Sequence, residues 1–255
     1  MVIFRMETKE SIVKSRSHCP NCGHVLEWYE LIPVVSFLIQ GGECRSCKKR
    51  ISFQYPLVEI LTGIIFWTVS MHVLPLGYGE EIPSLSSMAK LAYLLAISSC
   101  LIVIFVYDLR HYIIPDKVLL PSAALVAAYT IFVFAGGDIS DFSNFKNMIA
   151  FPLVSAIGAF SFFAVIFFMS GGKWIGFGDV KFAFFMGLFL GWPGIIVGLF
   201  LAWIMGGIIA VGLLVMGKAK MKSAIPFGPF LVAGTFFSLL WGRELMSWYL
   251  DMLTL

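Results

Sequence analysis

After residue 56 the chain is organised by seven long apolar runs, at roughly 57–76, 88–107, 118–136, 147–169, 180–192, 194–216 and 226–241. A helix of about 20 apolar residues crosses a hydrocarbon core of about 30 Å, and most of these runs reach that length. The fifth is short, and Gly191-Trp192-Pro193-Gly194 predicts a tight turn between it and the sixth. Pro and Gly punctuate the other boundaries at Pro75-Leu76-Gly77, Gly136-Gly137, Gly171-Gly172 and Pro226. The tail from Arg243 to Leu255 has an amphipathic pattern, with Leu245, Trp248, Tyr249 and Met252, and is expected to lie on the membrane surface. The pattern predicts an all-α polytopic membrane protein with about seven transmembrane helices.

Residues 1–56 read differently. They hold four of the five cysteines and eight of the eighteen Lys and Arg residues. Their apolar stretch, Leu31 to Ile39, is far too short to span and is expected to form a lobe core or an interfacial segment. The chain therefore divides into a small soluble lobe, 1–56, and a transmembrane domain, 57–255. Composition agrees, with 59% hydrophobic residues, 13% charged residues and a mean hydropathy of +0.91. A soluble domain carries about 25% charged residues. The net charge of +3 gives no reason to expect a nucleic-acid partner, and Met1 to Phe4 is too short for a signal peptide.

Charge also predicts orientation. With the lobe placed inside and seven helices threaded, the inner segments are 1–56, 108–117, 170–181 and 217–225, and they hold fifteen of the eighteen Lys and Arg residues. The outer segments keep Lys90, Lys146 and Arg243, together with Glu80, Glu81, Asp138 and Asp141. Basic residues concentrate on the cytoplasmic side of membrane proteins. The threading puts Asp108, at the end of the second run, and Asp179, at the start of the fifth, at the same cytoplasmic face.

Cys19-Pro20-Asn21-Cys22 and Cys44-Arg45-Ser46-Cys47 have the spacing of two metal knuckles. Four thiolates form a closed, structural tetrahedral Zn²⁺ site, and such a site folds a lobe too small for its own core. Disulfides or a redox pair are the alternatives, and a cytoplasmic lobe favours zinc because thiols stay reduced there. His18 and His24 flank the first knuckle but are read as surface residues, since the four cysteines complete the shell.

The carboxylates carry the candidate chemistry. Asp108 lies in Tyr107-Asp108-Leu109-Arg110, and Asp179 in Gly176-Phe177-Gly178-Asp179-Val180-Lys181. Each read alone is an interfacial or capping residue, although ionisable groups at membrane depth are functional candidates. Two carboxylates brought together share a proton, so one can deprotonate a water while the other protonates a peptide carbonyl. Gly176 and Gly178 would let an extended substrate backbone approach. Lys181 is expected to pair with Asp179 or a lipid phosphate, or to orient the site, and Glu59 to pair with the basic lobe or hold substrate. Asp116, after Pro115, is expected to cap the third helix. Lys218, Lys220 and Lys222 are expected to enforce topology and touch anionic lipid.

These stretches together resemble the type IV prepilin peptidases. The resemblance rests on Ser17-His18-Cys19-Pro20-Asn21-Cys22-Gly23-His24, the second knuckle, and Tyr55-Pro56-Leu57-Val58-Glu59. It continues through Asp108 with Ile114-Pro115-Asp116, then Gly176 to Lys181, and Pro226-Phe227-Gly228-Pro229. It implies a bacterial cytoplasmic-membrane aspartic endopeptidase with Asp108 and Asp179 as catalytic pair. The implied substrate is a prepilin or pseudopilin, cut after a basic leader. The resemblance also implies N-methylation of the new N-terminal residue with S-adenosylmethionine, for which the sequence shows no glycine-rich nucleotide loop. Family members usually begin with a further helix ending in a stretch that Val2-Ile3-Phe4-Arg5-Met6 resembles, so that helix is expected to be missing here. Two other readings use the same residues: an aspartic intramembrane protease of different specificity without methyl transfer, and a zinc-clipped transporter or scaffold whose carboxylates relay protons.

Overall fold

The computed structural model describes residues 16–74, 84–136, 149–218 and 225–253. Val2 to Met6, Pro75 to Gly77, Glu80, Glu81, Gly137, Asp138, Asp141, Lys146, Lys220 and Lys222 lie outside the described residues. Among the described residues the chain is helical, and its β pairing is limited to two isolated antiparallel bridges, His18–Val25 and Glu43–Arg50. It divides into two compact units, through Ser99 and from Cys100 onward.

The first unit contains a 3-10 turn at Trp28–Leu31 and the short helix α1, Val35–Ile39. It continues with α2, Gln54–Val73, and the beginning of α3, Leu85–His111. The apolar stretch expected at 31–39 does not form a core. Helix α1 has no buried residue, and Leu38 and Ile39 are 70% and 80% exposed. The exception is Phe37, whose ring meets Phe53 edge-on at 6.2 Å and packs beneath Gly42.

The second unit contains the rest of α3, α4 (Asp116–Gly136), α5 (Phe151–Ser170), α6 (Phe177–Val215) and α7 (Gly228–Leu253). Helix α6 is its centre: it packs along α5 and α7 and also touches α4. Its 39 residues would extend roughly 58 Å if straight, nearly twice a hydrocarbon core. It is broken instead at Gly191 (φ 61°, ψ −169°) and Trp192 (φ −85°, ψ 139°). Only glycine takes the first of these conformations without strain. The fifth and sixth apolar runs are thus two helical arms joined at the turn that Gly191-Trp192-Pro193-Gly194 predicts, and Gly198 of the second arm packs against Met186 and Leu190 of the first. The seventh run and the tail form one helix, α7, because the residue between them, Gly242, costs a helix only about 1 kcal/mol.

Among the described residues five helices, α2 to α6, are long and apolar enough to cross a membrane, and the protein is a polytopic membrane protein. Lipid tails give apolar side chains no hydrophobic reason to associate, so packing depends on close backbone approach. Glycine supplies it. A Cβ at Gly187 of α6 would lie 2.5 Å from the Ala156 Cα of α5, and a Cβ at Gly234 of α7 would collide with the Gly198 carbonyl of α6. Phe163, Phe182, Phe185, Met186 and Leu231 fill the fully buried positions around these contacts. The Ser238 hydroxyl of α7 donates to the Gly194 carbonyl at 2.7 Å, next to the break in α6.

Candidate active site and metal centre

Helix α3 ends just past Asp108. Tyr112 takes a left-handed conformation (φ 57°) and its N–H returns to the Asp108 carbonyl at 2.9 Å. The chain then passes through buried Ile114 and Pro115 into α4. Asp108 is 3% exposed, and its Oδ2 has no hydrogen-bond partner among the described residues. It is also the one buried charged residue of the spanning helices among the described residues. A buried, unsatisfied carboxylate oxygen is costly, and such groups persist where chemistry needs them.

What faces that carboxylate is the first residue of α7. A Cβ on Gly228 would come within 2.5 Å of Asp108 Oδ2 and 2.9 Å of its Cγ. Gly228 therefore belongs to the site through the room it leaves. The Pro226-Phe227-Gly228-Pro229 stretch carried family resemblance in the sequence, but its connection to Asp108 depends on a contact 120 residues away along the chain.

Asp179 comes from the opening turn of α6. Its backbone N–H donates to the Gly176 carbonyl at 3.1 Å, and its Oδ2 accepts the Gly176 N–H at 3.2 Å. One oxygen therefore caps the helix from its third position, as a capping-box carboxylate does. The residue is only half-buried and lies within electrostatic reach of Asp108. The two carboxylates are thus brought into one region by α3 and α6, with Gly228 of α7 beside them.

The remaining sequence candidates take other places. A Cβ on Gly178 would lie 3.2 Å from the Ile114 Cβ, so the glycine lets the loop after α3 pack closely against the start of α6. Gly176 sits against the Asp179 carboxyl, with its Cβ direction 3.5 Å from Oδ2. The partner of Lys181 is Asp116. Its Nζ bridges both oxygens of Asp116 at 2.8 and 2.7 Å and lies 5.2 Å from the Phe177 ring centroid. Asp116 thus ties the start of α4 to the start of α6. Glu59 accepts the Val34 N–H at 2.7 Å, holding a β-branched residue at φ 62°, a region such residues rarely adopt.

The cysteines converge in the first unit. Their four Sγ atoms lie within 4.8 Å of one another, with Cys19–Cys47 and Cys22–Cys44 each at 4.0 Å. That is about twice a disulfide bond length. It is close to the spacing of roughly 3.8 Å that tetrahedral ligation at about 2.3 Å requires. The two knuckles repeat one backbone design. Cys19 N donates to His24 O and Gly23 N to Cys19 O, while Cys44 N donates to Lys49 O and Lys48 N to Cys44 O, all at 2.8–2.9 Å. In each the fifth residue is left-handed, Gly23 at φ 70° and Lys48 at φ 58°. The backbone N–H of Lys49 and the Asn21 amide hold the Cys47 thiol down at about 6. At Cys22 the His24 N–H pulls the same way, but desolvation and the neighbouring thiols outweigh it and push the thiol up to about 11. Four thiolates therefore resist joint ionisation until a cation joins them, and these residues fit a metal ion.

His24 is not a free surface residue. Its Nε2 lies 3.2 Å from Oε2 of Glu30, which also accepts the Glu27 N–H at 2.9 Å. The Glu27 N–H, with His24 adding to it, keeps the Glu30 carboxyl below the usual carboxylate range despite its burial. The link braces the first knuckle against the 3-10 turn.

Comparison with known proteins places this arrangement. Residues 1–73 match the bacterial peptidase A24 N-terminal domain, and residues 95–211 match the type IV leader peptidase family. The chain is 30% identical over 244 residues to the prepilin leader peptidase/N-methyltransferase of Aeromonas hydrophila, covering 96% of this chain and 78% of that protein. The chain belongs to the type IV leader peptidase family. This family member is also 32% identical over 243 residues to the prepilin leader peptidase/N-methyltransferase of Pseudomonas aeruginosa, covering 94% of it and 77% of the relative. With the corresponding protein of Bacillus subtilis it shares 29% identity over 242 residues, or 95% and 88% of the two chains. No solved structure matches it.

Proposed function

We propose that this chain is an aspartic endopeptidase that removes the basic leader of type IV prepilins or pseudopilins at the cytoplasmic face of the bacterial inner membrane. Asp108 and Asp179 are its catalytic pair. The observation that carries this reading is the buried Asp108 carboxylate, with an unpartnered oxygen, held against Gly228 and within electrostatic reach of Asp179. One carboxylate takes a proton from water as the water oxygen attacks the scissile carbonyl carbon, and the other gives its proton to the carbonyl oxygen. When the tetrahedral intermediate collapses, the C–N bond breaks and the amine leaves with a proton from the pair. Atoms and charge balance without a covalent enzyme intermediate.

Family membership and the names of the relatives support the substrate class and a second activity, N-methylation of the new pilin N-terminus, whose methyl donor would be S-adenosylmethionine. Residues 1–56 form the Zn²⁺ lobe, held by Cys19, Cys22, Cys44 and Cys47, and residues 57–255 the peptidase part. Gly176, Gly178 and Lys181 act on the substrate side by setting the position of the loops that flank it, and Glu59 holds the turn at Val34 in the first unit. The transporter reading needs carboxylates in series across the bundle, whereas Asp108 and Asp179 both sit at helix ends, at the close of α3 and the opening of α6.

The test is purified protein in detergent with a pilin precursor, with and without S-adenosylmethionine, followed by the mass of the pilin N-terminus. Loss of the leader in both samples, and one added methyl group only with the donor, is expected. A precursor that stays intact, or cleavage that persists in Asp108→Ala, overturns the reading.

A further inference from the structure

The lobe carries an apolar surface that its own fold leaves uncovered. Trp28 is 76% exposed, Leu38 70%, Ile39 80% and Phe53 68%. These residues are not scattered single positions. They occupy the 3-10 turn, α1 and the residue that precedes α2, and Phe37 fixes α1 to Phe53 from the inner side. Contiguous apolar surface of this kind marks contact with a membrane or a partner.

Two features favour a membrane. Phe53 leads directly into α2, whose Leu57, Ile60 and Ile64 are about half exposed along a helix long and apolar enough to cross a bilayer. The uncovered face is therefore continuous along the chain with a lipid-facing one. The second knuckle also presents Arg45, Lys48, Lys49 and Arg50, all exposed. The Arg45 guanidinium lies 5.4 Å from the Tyr29 ring centroid, and that ring meets Trp28 edge-on at 5.8 Å. Arg45 thus borders the aromatic end of the apolar face. Apolar side chains at the acyl boundary with Lys and Arg among the headgroups are the arrangement of an interfacial anchor.

We propose that the face formed by Trp28, Leu38, Ile39 and Phe53 lies in the interfacial layer of the bilayer that α2 enters, with Arg45, Lys48, Lys49 and Arg50 on anionic phospholipid headgroups. The thiol centre is then held at the height of the headgroups, and the lobe is a lipid-anchored module, not a freely tethered one.

The test reconstitutes the full chain in phosphatidylcholine bilayers with and without phosphatidylglycerol. Trypsin cleavage at Arg45–Arg50 is expected to slow by on the order of tenfold when the anionic lipid is present. The double variant Leu38→Glu/Ile39→Glu is expected to lose that protection while keeping the cobalt-thiolate absorption of a folded lobe. Should this variant lose the absorption as well, Trp28→Phe decides the matter: bromolipid quenching of wild-type tryptophan fluorescence should contain a component that this mild variant removes. Equal cleavage in anionic bilayers, neutral bilayers and detergent, with quenching unaltered in Trp28→Phe, overturns the proposal. Protection that appears only when a pilin precursor is added also overturns it and assigns the face to substrate.

Discussion

Between Ser17 and Phe53 two residues are buried, Glu30 and Cys44, whereas α6 alone buries ten between Val180 and Ala202. The lobe is ordered by turns, two repeated hairpins and four converging thiols, with almost no apolar interior. The second unit is ordered by backbone contact at Gly187, Gly198 and Gly234, with large side chains filling what remains. A metal-clipped element loses everything when its clip goes. A close-packed bundle loses locally, at the residue changed. The two units should therefore fail separately.

The largest expected effect is metal removal. Structural zinc contributes on the order of 10–16 kcal/mol to small modules that lack a core. Chelation should expose the amides of residues 16–53 to rapid hydrogen exchange while those of α5 to α7 keep their protection. Loss of protection in both units would break the comparison. Next come Asp108→Asn and Asp179→Asn, expected to slow leader cleavage by about 10²–10⁴-fold. Metal content and the methylation of an already cleaved pilin peptide should not change, which a mass assay on both substrates reads. Gly228→Ala should follow, since its Cβ would sit 2.5 Å from Asp108 Oδ2. It is expected to destabilise the bundle by about 1–3 kcal/mol and to slow cleavage as the carboxyl is displaced, seen as a lowered Tm and kcat.

The Lys181–Asp116 pair is partly exposed, so its stability contribution is at most about 1 kcal/mol. Its role as a positioning pair appears in turnover. Lys181→Ala should lower kcat with little change in KM, Lys181→Arg should recover most of it, and the exchange Lys181→Asp/Asp116→Lys should recover part. Equal losses in all three would remove the positioning role. The smallest effect belongs to the knuckles. Gly23→Ala forces a Cβ into the left-handed region and should cost about 1 kcal/mol, whereas Lys48→Gly relieves the same conformation and should be neutral or slightly stabilising. Competition with a chelator measures both.

Much of this was legible along the chain because it depends on local periodicity and spacing. The apolar runs, the break at Gly191 and the four cysteines are properties of short segments, and each is found where its segment predicts. What local pattern left open was partners. Lys181 was read as pairing with Asp179 or a lipid phosphate or as orienting the site, and the residue it holds is Asp116, because α4 and α6 start side by side. Gly178 was read as room for a substrate backbone, and its Cβ direction meets Ile114 of the loop after α3. Leu31 to Ile39 was expected as core or interface, and only its exposure distinguishes the two.

Local pattern and composition by themselves determined a polytopic membrane protein, two pairs of cysteines with metal-knuckle spacing and two aspartates at the ends of apolar runs. Helical period and ligand spacing act over a few residues and need no knowledge of the fold. Only the tertiary structure decided that Gly228 faces Asp108, that Asp108 keeps an unpartnered oxygen, and that Asp179 shares its region. Those facts depend on how α3, α6 and α7 pack, and that packing is set by glycine contacts between residues far apart in the chain.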